Sequence, residues 1–454
     1  MAITIRSAQT ISNGIKLKGN YNINEGIILW LDAANPASYP GSGTTWYDLT
    51  SNHYNATLYG ATYSNRAINF DYTQSQYAAL AANNILGGDF TAIGWVYVRS
   101  YQAWSRLFDF GNGAGGVNVI LAVTQGSSGN PVWSTDGADN INSSQLLPLN
   151  QWVQLSATQS GLTGTIYING QQVASATNTG IATVTRNLNY IGKSNWNGDG
   201  YLDGKIKSLK MWNRTLSPSE ISFDYQTNNP NIVTTGLYAN YDATAITNTT
   251  TFPDSSGNGR NASLFNGPTT TIFNGTQVLQ LNGSSQYFAK NDGYGSDLDS
   301  AFTFDVWACP VSAGTPGVLI AEWSPTVTGG WQDTQMGFTN VDIRAGVYNT
   351  NAAVAKDSWT ANTWYHIVTT YDGSILRTYV NSVAGATSAG AKQSPTGSSV
   401  GPTVLSMGIP CADYLGGVSG YFHGFIGAWK IYNRALTPAE VNQNFNALRG
   451  QYGV

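Results

Sequence analysis

Seven blocks of this sequence occur twice, in the same order and at a nearly constant spacing, so the fold must be one that can be built twice in tandem. The opening Gly26-Ile-Ile-Leu-Trp-Leu-Asp32 lies over Gly236-Leu-Tyr-Ala-Asn-Tyr-Asp242, and Tyr47 through Leu58 over Pro253 through Leu264. Ser75-Gln76-Tyr77 matches Ser285-Gln286-Tyr287, and Phe90 through Trp95 matches Phe302 through Trp307. Trp152 matches Trp364, and Ile166 through Gly170 matches Thr378 through Ser382. The closing match is the longest, with Gly204 through Ile221 over Gly424 through Val441. The expected domains are 25–228 and 236–454, joined by a linker at 229–235 and preceded by an arm at 1–24 that has no second copy.

Within each copy, short stretches alternate with period two between Gly, Asn and Pro, as in Gly164-Thr-Ile-Tyr-Ile-Asn-Gly170 and Leu376-Arg-Thr-Tyr-Val-Asn381. That is the pattern of half-buried strands ending in turns. Helical periodicity is expected only after Leu216 and Leu436. There Ser217 or Thr437 can cap a helix, Pro218 or Pro438 opens it, and Glu220 or Glu440 completes a capping box. The fold class is therefore all-β, two tandem antiparallel sandwiches behind a short arm.

Only 10% of residues are charged, against about 25% in ordinary domains, while 12% are aromatic. A net charge of −4 supplies no basic field for nucleic acid or anionic lipid. No apolar run reaches the roughly 20 residues that cross a bilayer, so membrane insertion is not expected. Residues 1–20 lack the apolar stretch of a secretory signal. Cys309 and Cys411, the only cysteines, are expected to be reduced thiols rather than a bridge.

The closing block, Gly-x-Ile-x-x-x-x-Ile-Tyr-Asn-Arg-Ala-Leu-Thr-Pro-x-Glu-Val, resembles the last strand and terminal helix of concanavalin A-like, laminin-G-like domains. Asp254-Ser-Ser-Gly-Asn-Gly-x-Asn-Ala262 resembles a turn near the start of the same domains. The likeness covers roughly 26–228 and 236–450 and implies a jelly-roll sandwich with a lectin-like role. The stretch 31–49 is similar to a variant found in virion proteins of tailed phages and large viruses. One departure matters. Acids that the family commonly places after Gly-x-Ile are here Lys207-Ser208 and Gly427-Ala428, so no metal role carries over to those positions.

Hydrolases of this fold set paired glutamates on one strand to flank a glycosidic bond. The four glutamates here are Glu25, Glu220, Glu322 and Glu440, and only Glu322 is neither at the arm junction nor a helix cap. No catalytic set is expected. His53, His366 and His423 form no motif. Calcium is the one cofactor the sequence leaves open. Asp48 with Asn52 and Asn55, and Asp254 with Asn258 and Asn261, offer oxygen ligands, although the same residues also build Asx-turns. Trp95, Trp307, Trp152 and Trp364 recur and read as core. Trp104, Trp133, Trp196 and Trp331 do not recur, lie among Gly, Ser and Asn, and are candidates for stacking on glycans or docking a partner.

The expected function is a non-enzymatic virion protein, assembled in the host cytoplasm as a phage head decoration, head fibre or tail fibre. Residues 1–24 would join capsid or tail proteins, and many copies would display lectin-like domains to glycans. A secreted or cell-surface carbohydrate-binding protein is the alternative, with a glycoside hydrolase behind it.

Overall fold

A computed structural model describes residues 10–11, 15–16, 23–136, 139–273, 276–290, 298, 300–311, 317–323, 332–339, 341–347, 353–391, 404–408 and 420–454. The chain divides into two compact units between Asn231 and Ile232, and each is an antiparallel β-sandwich. In the arm, Thr10–Ile11 and Ile15–Lys16 pair as a two-stranded ribbon.

The first unit has two eight-stranded sheets. One runs Gln171–Thr177, Thr163–Ile168, Trp152–Ser160, Phe90–Ser100, Asp203–Trp212, Ala67–Phe70, Thr62–Ser64, with Ile27–Asp32 also pairing on Asp203–Trp212. The other runs Asp139–Asn142, Val132–Thr135, Val119–Ala122, Arg106–Gly111, Leu188–Ile191, Tyr77–Leu80, Ala56–Tyr59, Thr45–Trp46. Period-two alternation sends Phe108 and Phe110, Val119 and Leu121, Ala78 and Leu80 into the shared core. The residues between them are left on the outward face.

The second unit repeats this plan. Leu237–Asp242 and Thr276–Asn282 share one edge of His423–Tyr432, Phe302–Pro310 pairs on its other edge, and the far edge of this sheet is Val383–Ala389. The other runs from Thr251–Phe252 through Ala262–Phe265, Tyr287–Lys290, Val404–Met407, Gly317–Trp323, Gln332–Phe338 and Ile343–Gly346 to Ala353–Lys356.

The length of the closing repeat has a physical cause, because this block ties the end of each unit to its start. Asn213 N donates to Gly26 O (2.9 Å) and Asn433 N to Gly236 O (3.0 Å), while Arg214 and Arg434 donate through Nε to Glu25 O and Thr235 O. Gly26 has φ +76°, and a Cβ there would lie 2.7 Å from Asn213 Oδ1. Helix α1 (Pro218–Asn228) and helix α2 (Pro438–Tyr452) then begin with full capping boxes, Ser217 with Glu220 and Thr437 with Glu440.

Both helices lie on the outer face of the sheet that contains the closing strand. Trp95 stacks on Tyr225 of α1, and Trp307 on Phe445 and Tyr452 of α2. Trp95, Trp307 and Trp364 are buried, whereas Trp152 is half-buried and sits edge-on to Tyr97. Cys309 is a buried thiol, pushed up to about 12 by burial. Cys411 lies outside the described residues.

Beneath each helix is a buried ion pair, built differently in the two units. In the first, Lys210 Nζ meets Asp224 of α1 at 2.8 Å, Gln154 Nε2 donates to the same carboxylate, and Ile93 is the strand residue opposite Lys210. In the second, Lys430 lies opposite Asp305 and meets it at 3.2 Å. His366 Nε2 approaches Asp305 to 3.1 Å, and Asn444 of α2 donates to it at 2.8 Å. Counted from Pro218 and Pro438, Asp224 and Asn444 occupy the same helix position. The carboxylate has thus moved from helix to strand between the copies.

Candidate functional site

The candidate site is the outward face of the first unit's second sheet, with the loop 192–200 that crosses it. Alternation, with a register shift between Arg106 and Phe108, places Arg106, Asp109, Ile120, Ala122, Val132 and Tyr190 there, and cross-strand pairing sets Asp109 beside Tyr190 and Arg106 beside Ala122. Arg106 is only 5% exposed and organises one end. Its Nη2 is 3.0 Å from Asp199 Oδ2, its Nε is 3.7 Å from Asp109, and its guanidinium lies 5.7 Å from the Trp104 ring and 5.8 Å from that of Trp196. Both half-buried indoles cover the small apolar patch of Ile120, Ala122 and Val132.

Asp109 is fully buried. Burial pushes its carboxyl up, and hydrogen bonds from Asn195 N (2.9 Å), Asn118 Nδ2 (2.8 Å) and Asn195 Nδ2 (2.8 Å), with Arg106 nearby, only partly offset that. Ser194 Oγ donates to Asp199 and accepts from Trp196 N, which fixes the loop. Ser134 Oγ, Asn118 Oδ1 and Asn195 Oδ1 are buried without a hydrogen-bond partner among the described residues, so the network keeps capacity for water or a ligand.

The other end is aromatic. Tyr59 stacks on Tyr77 with centroids 4.6 Å apart and planes 7° from parallel, Tyr190 meets Tyr77 edge-on, and Tyr201 lies 6.2 Å away. Lys193 Nζ sits 4.4 Å from the Tyr77 centroid and 4.3 Å from that of Tyr190. Tyr59 is 48% exposed, and the rest are half-buried. The second unit repeats the stack as Phe265 on Tyr287, at 4.6 Å and 7°, with Tyr421 6.5 Å from Tyr287.

Of the four non-recurring tryptophans, the structure brings Trp104 and Trp196 together. Trp133 requires a correction. Its strand, Val132–Thr135, turns the indole into the core, where Nε1 donates to Gln159 Oε1 at 2.9 Å and the ring stacks on Phe90. Trp331 lies outside the described residues. The tyrosine cluster, Lys193 and the Arg106 network were not singled out from the sequence. Their only local signal is the repeated Ser-Gln-Tyr at Tyr77 and Tyr287.

The calcium candidates build turns. Asp48 accepts from Trp30 N, Thr50 N, Thr50 Oγ1 and Tyr54 N, and Asn55 Oδ1 accepts from Asp48 N. Asn52 Nδ2 donates to Ile28 O. Asp254 repeats the pattern with Asn240 N, Ser256 N, Ser256 Oγ and Arg260 N, while Asn258 Nδ2 donates to Leu237 O and Tyr238 O. Burial opposes the Asp254 charge, but these donors outweigh it and hold the carboxyl below its ordinary range. Oxygens surrounded by N–H and O–H donors stitch a turn; a cation would face those hydrogens. Among the described residues, no three His, Cys, Asp or Glu side chains gather as a metal site.

Glu322 is 4% exposed. A small cavity elsewhere in the first unit is lined by Val117, Ile181 and Arg186, but Arg186 donates to the carbonyls of Val117, Leu86 and Ala182. Burial pushes that guanidinium down to about 10.

A family model described as the concanavalin A-like lectin/glucanases superfamily matches residues 71–222 and 282–442. No curated protein sequence matches the chain. Among solved structures, the fourth domain of an extracellular arabinanase from Geobacillus stearothermophilus, in complex with arabinotriose, is similar at 18% identity and a TM-score of 0.37. That match covers 43% of this chain and 97% of that one. The binding domain of Paraclostridial Mosquitocidal Protein 1 matches at 13% identity and a TM-score of 0.40, over 81% and 93% of the two chains. Two laminin G domains of the mouse laminin alpha1 chain match at 12% identity and a TM-score of 0.26, over 78% and 86%.

Proposed function

The chain belongs to the concanavalin A-like lectin/glucanases superfamily, and on that premise we propose that it is a non-catalytic glycan-binding protein displayed in many copies on a virion. The observation that carries the glycan reading is the outward face of the first unit. Flat rings of Trp104, Trp196, Tyr59, Tyr77 and Tyr201 stand there beside buried, hydrogen-bonding Asn and Asp side chains. Sugars offer C–H faces to such rings and hydroxyls to such amides. A multimerised form on a glycan array tests this. Trp196→Ala is expected to weaken binding by tenfold or more, while the loss of half-buried packing lowers the melting temperature by no more than about 4 °C. A larger fall with binding intact, or no glycan bound at all, would overturn the reading.

The non-catalytic part is supported by the state of the carboxylates. Asp109 is sealed under Asn118 and Asn195, and Asp199 is held by Arg106 and Ser194. Glycoside hydrolysis needs two carboxyls flanking the substrate, about 5–9.5 Å apart. Wild type and Glu322→Gln are expected to be alike in releasing no reducing ends from polysaccharides. Cleavage lost in the Gln variant would refute this.

The virion setting rests on the likeness of residues 31–49 to phage and large-virus virion proteins. The arm 1–24 serves as the anchor in this reading. Deleting it should leave both sandwiches folded, the first melting somewhat lower because Trp212 Nε1 loses Ile23 O as its acceptor, yet unable to join particles. Incorporation of the truncated chain would count against it.

A further inference from the structure

We infer that the aromatic face of the first unit takes an anionic sugar, one bearing a carboxylate or sulfate, with Lys193 as the group that reads the charge. This rests on the glycan-binding reading above and adds the ligand class. Lys193 Nζ is held over the rings of Tyr77 and Tyr190 at 4.4 and 4.3 Å, and it has no hydrogen bond or carboxylate partner among the described residues. The carboxylates nearby are committed elsewhere: Asp109 to Asn118 and Asn195, Asp199 to Arg106 and Ser194. Both carboxylates are turned into hydrogen bonds, so the Lys193 ammonium is the charged group of this cluster left without a polar partner among the described residues.

Two π faces position the ammonium before any ligand arrives, so little side-chain entropy remains to be lost on binding. Burial also lowers its proton affinity, a sign that it has given up part of its hydration. A charge-assisted hydrogen bond from the ammonium to an anionic oxygen would replace that hydration, whereas a neutral sugar would replace less. Tyr59, stacked on Tyr77 and 48% exposed, offers the adjoining ring for the sugar's C–H face.

The described residues of the second unit do not repeat this device. Its Phe265 and Tyr287 keep the stack, but Ser406 stands opposite Ala289 where Tyr190 stands opposite Ala79.

The test uses the full chain, multimerised, against a uronic-acid oligosaccharide, its carboxyl-reduced counterpart and a sulfated oligosaccharide of equal length. Wild type is expected to bind at least one anionic probe about tenfold more tightly than the reduced one, and less so at high salt. Which anion is preferred identifies the source of the charge. Lys193→Gln should lose that preference at an unchanged melting temperature, and Lys193→Arg should keep most of it. If Lys193→Gln does not fold, Tyr190→Ser opens the cage on the pattern of the second unit and should show the same selective loss. Equal binding of charged and reduced probes, unaffected by these changes, would overturn this inference and leave glycan binding standing. Failure to bind any glycan would remove both.

Discussion

Asp305 has no surface open to water, yet its carboxyl is held well below the ordinary range. Burial alone would raise it, but the Lys430 ammonium, His366 and the Asn444 amide reverse the sign. Removing one partner of such a pair leaves the other charge stranded, at a cost of about 3–5 kcal/mol. Asp305→Asn should therefore destabilise the second unit by about that much in urea unfolding. Because the folded carboxyl is depressed, this contribution is fully present above the unfolded value near 4. It shrinks as pH falls from there toward the folded value, so wild type and Asp305→Asn should converge in strong acid. The first unit suggests the repair. Asp305→Ile combined with Asn444→Asp copies the arrangement of Ile93, Lys210 and Asp224, and should recover much of the stability lost by Asp305→Ile alone.

At the scale of elements, the two helices were legible residue by residue, since a capping box is a local pattern whose partners lie three positions apart. Thr437→Ala should cost about 1 kcal/mol by urea titration. Glu440 is held to about 2, first by its bonds to Arg434 and then by Thr437. That depression makes its support for the cap present above about 4.3, fading as pH falls toward 2. Trp133 was misread for the opposite reason. Ser, Gly and Asn around it suggested a loop, but pairing with Val119–Ala122 and Asp139–Asn142 makes Val132–Thr135 an interior strand. Likewise, Asp48 and Asn52 suit a turn in sequence and leave a cation open, and the directions of the N–H bonds are those of a turn.

For the whole molecule, duplication was readable because core and closing-block residues stay in register, whereas the candidate face was not. Tyr59, Tyr77, Tyr190 and Lys193 come from distant segments, and nothing local announces that one sheet face unites them. Each unit has its own core, so calorimetry of the full chain should show Asp305→Asn lowering one transition and sparing the other. The relocated carboxylate bears on how such a chain reaches that state. Tandem copies with like sheets and like helices invite each helix to dock on the wrong sheet during synthesis. With α1 on the second sheet, Asp224 and Asp305 would crowd Lys430 and His366; with α2 on the first, Lys210 would sit beside an amide and no acid from the helix. Either exchange carries a buried charge imbalance. The divergence beneath the helices therefore makes each helix fit the charges of its own copy better than those of the other.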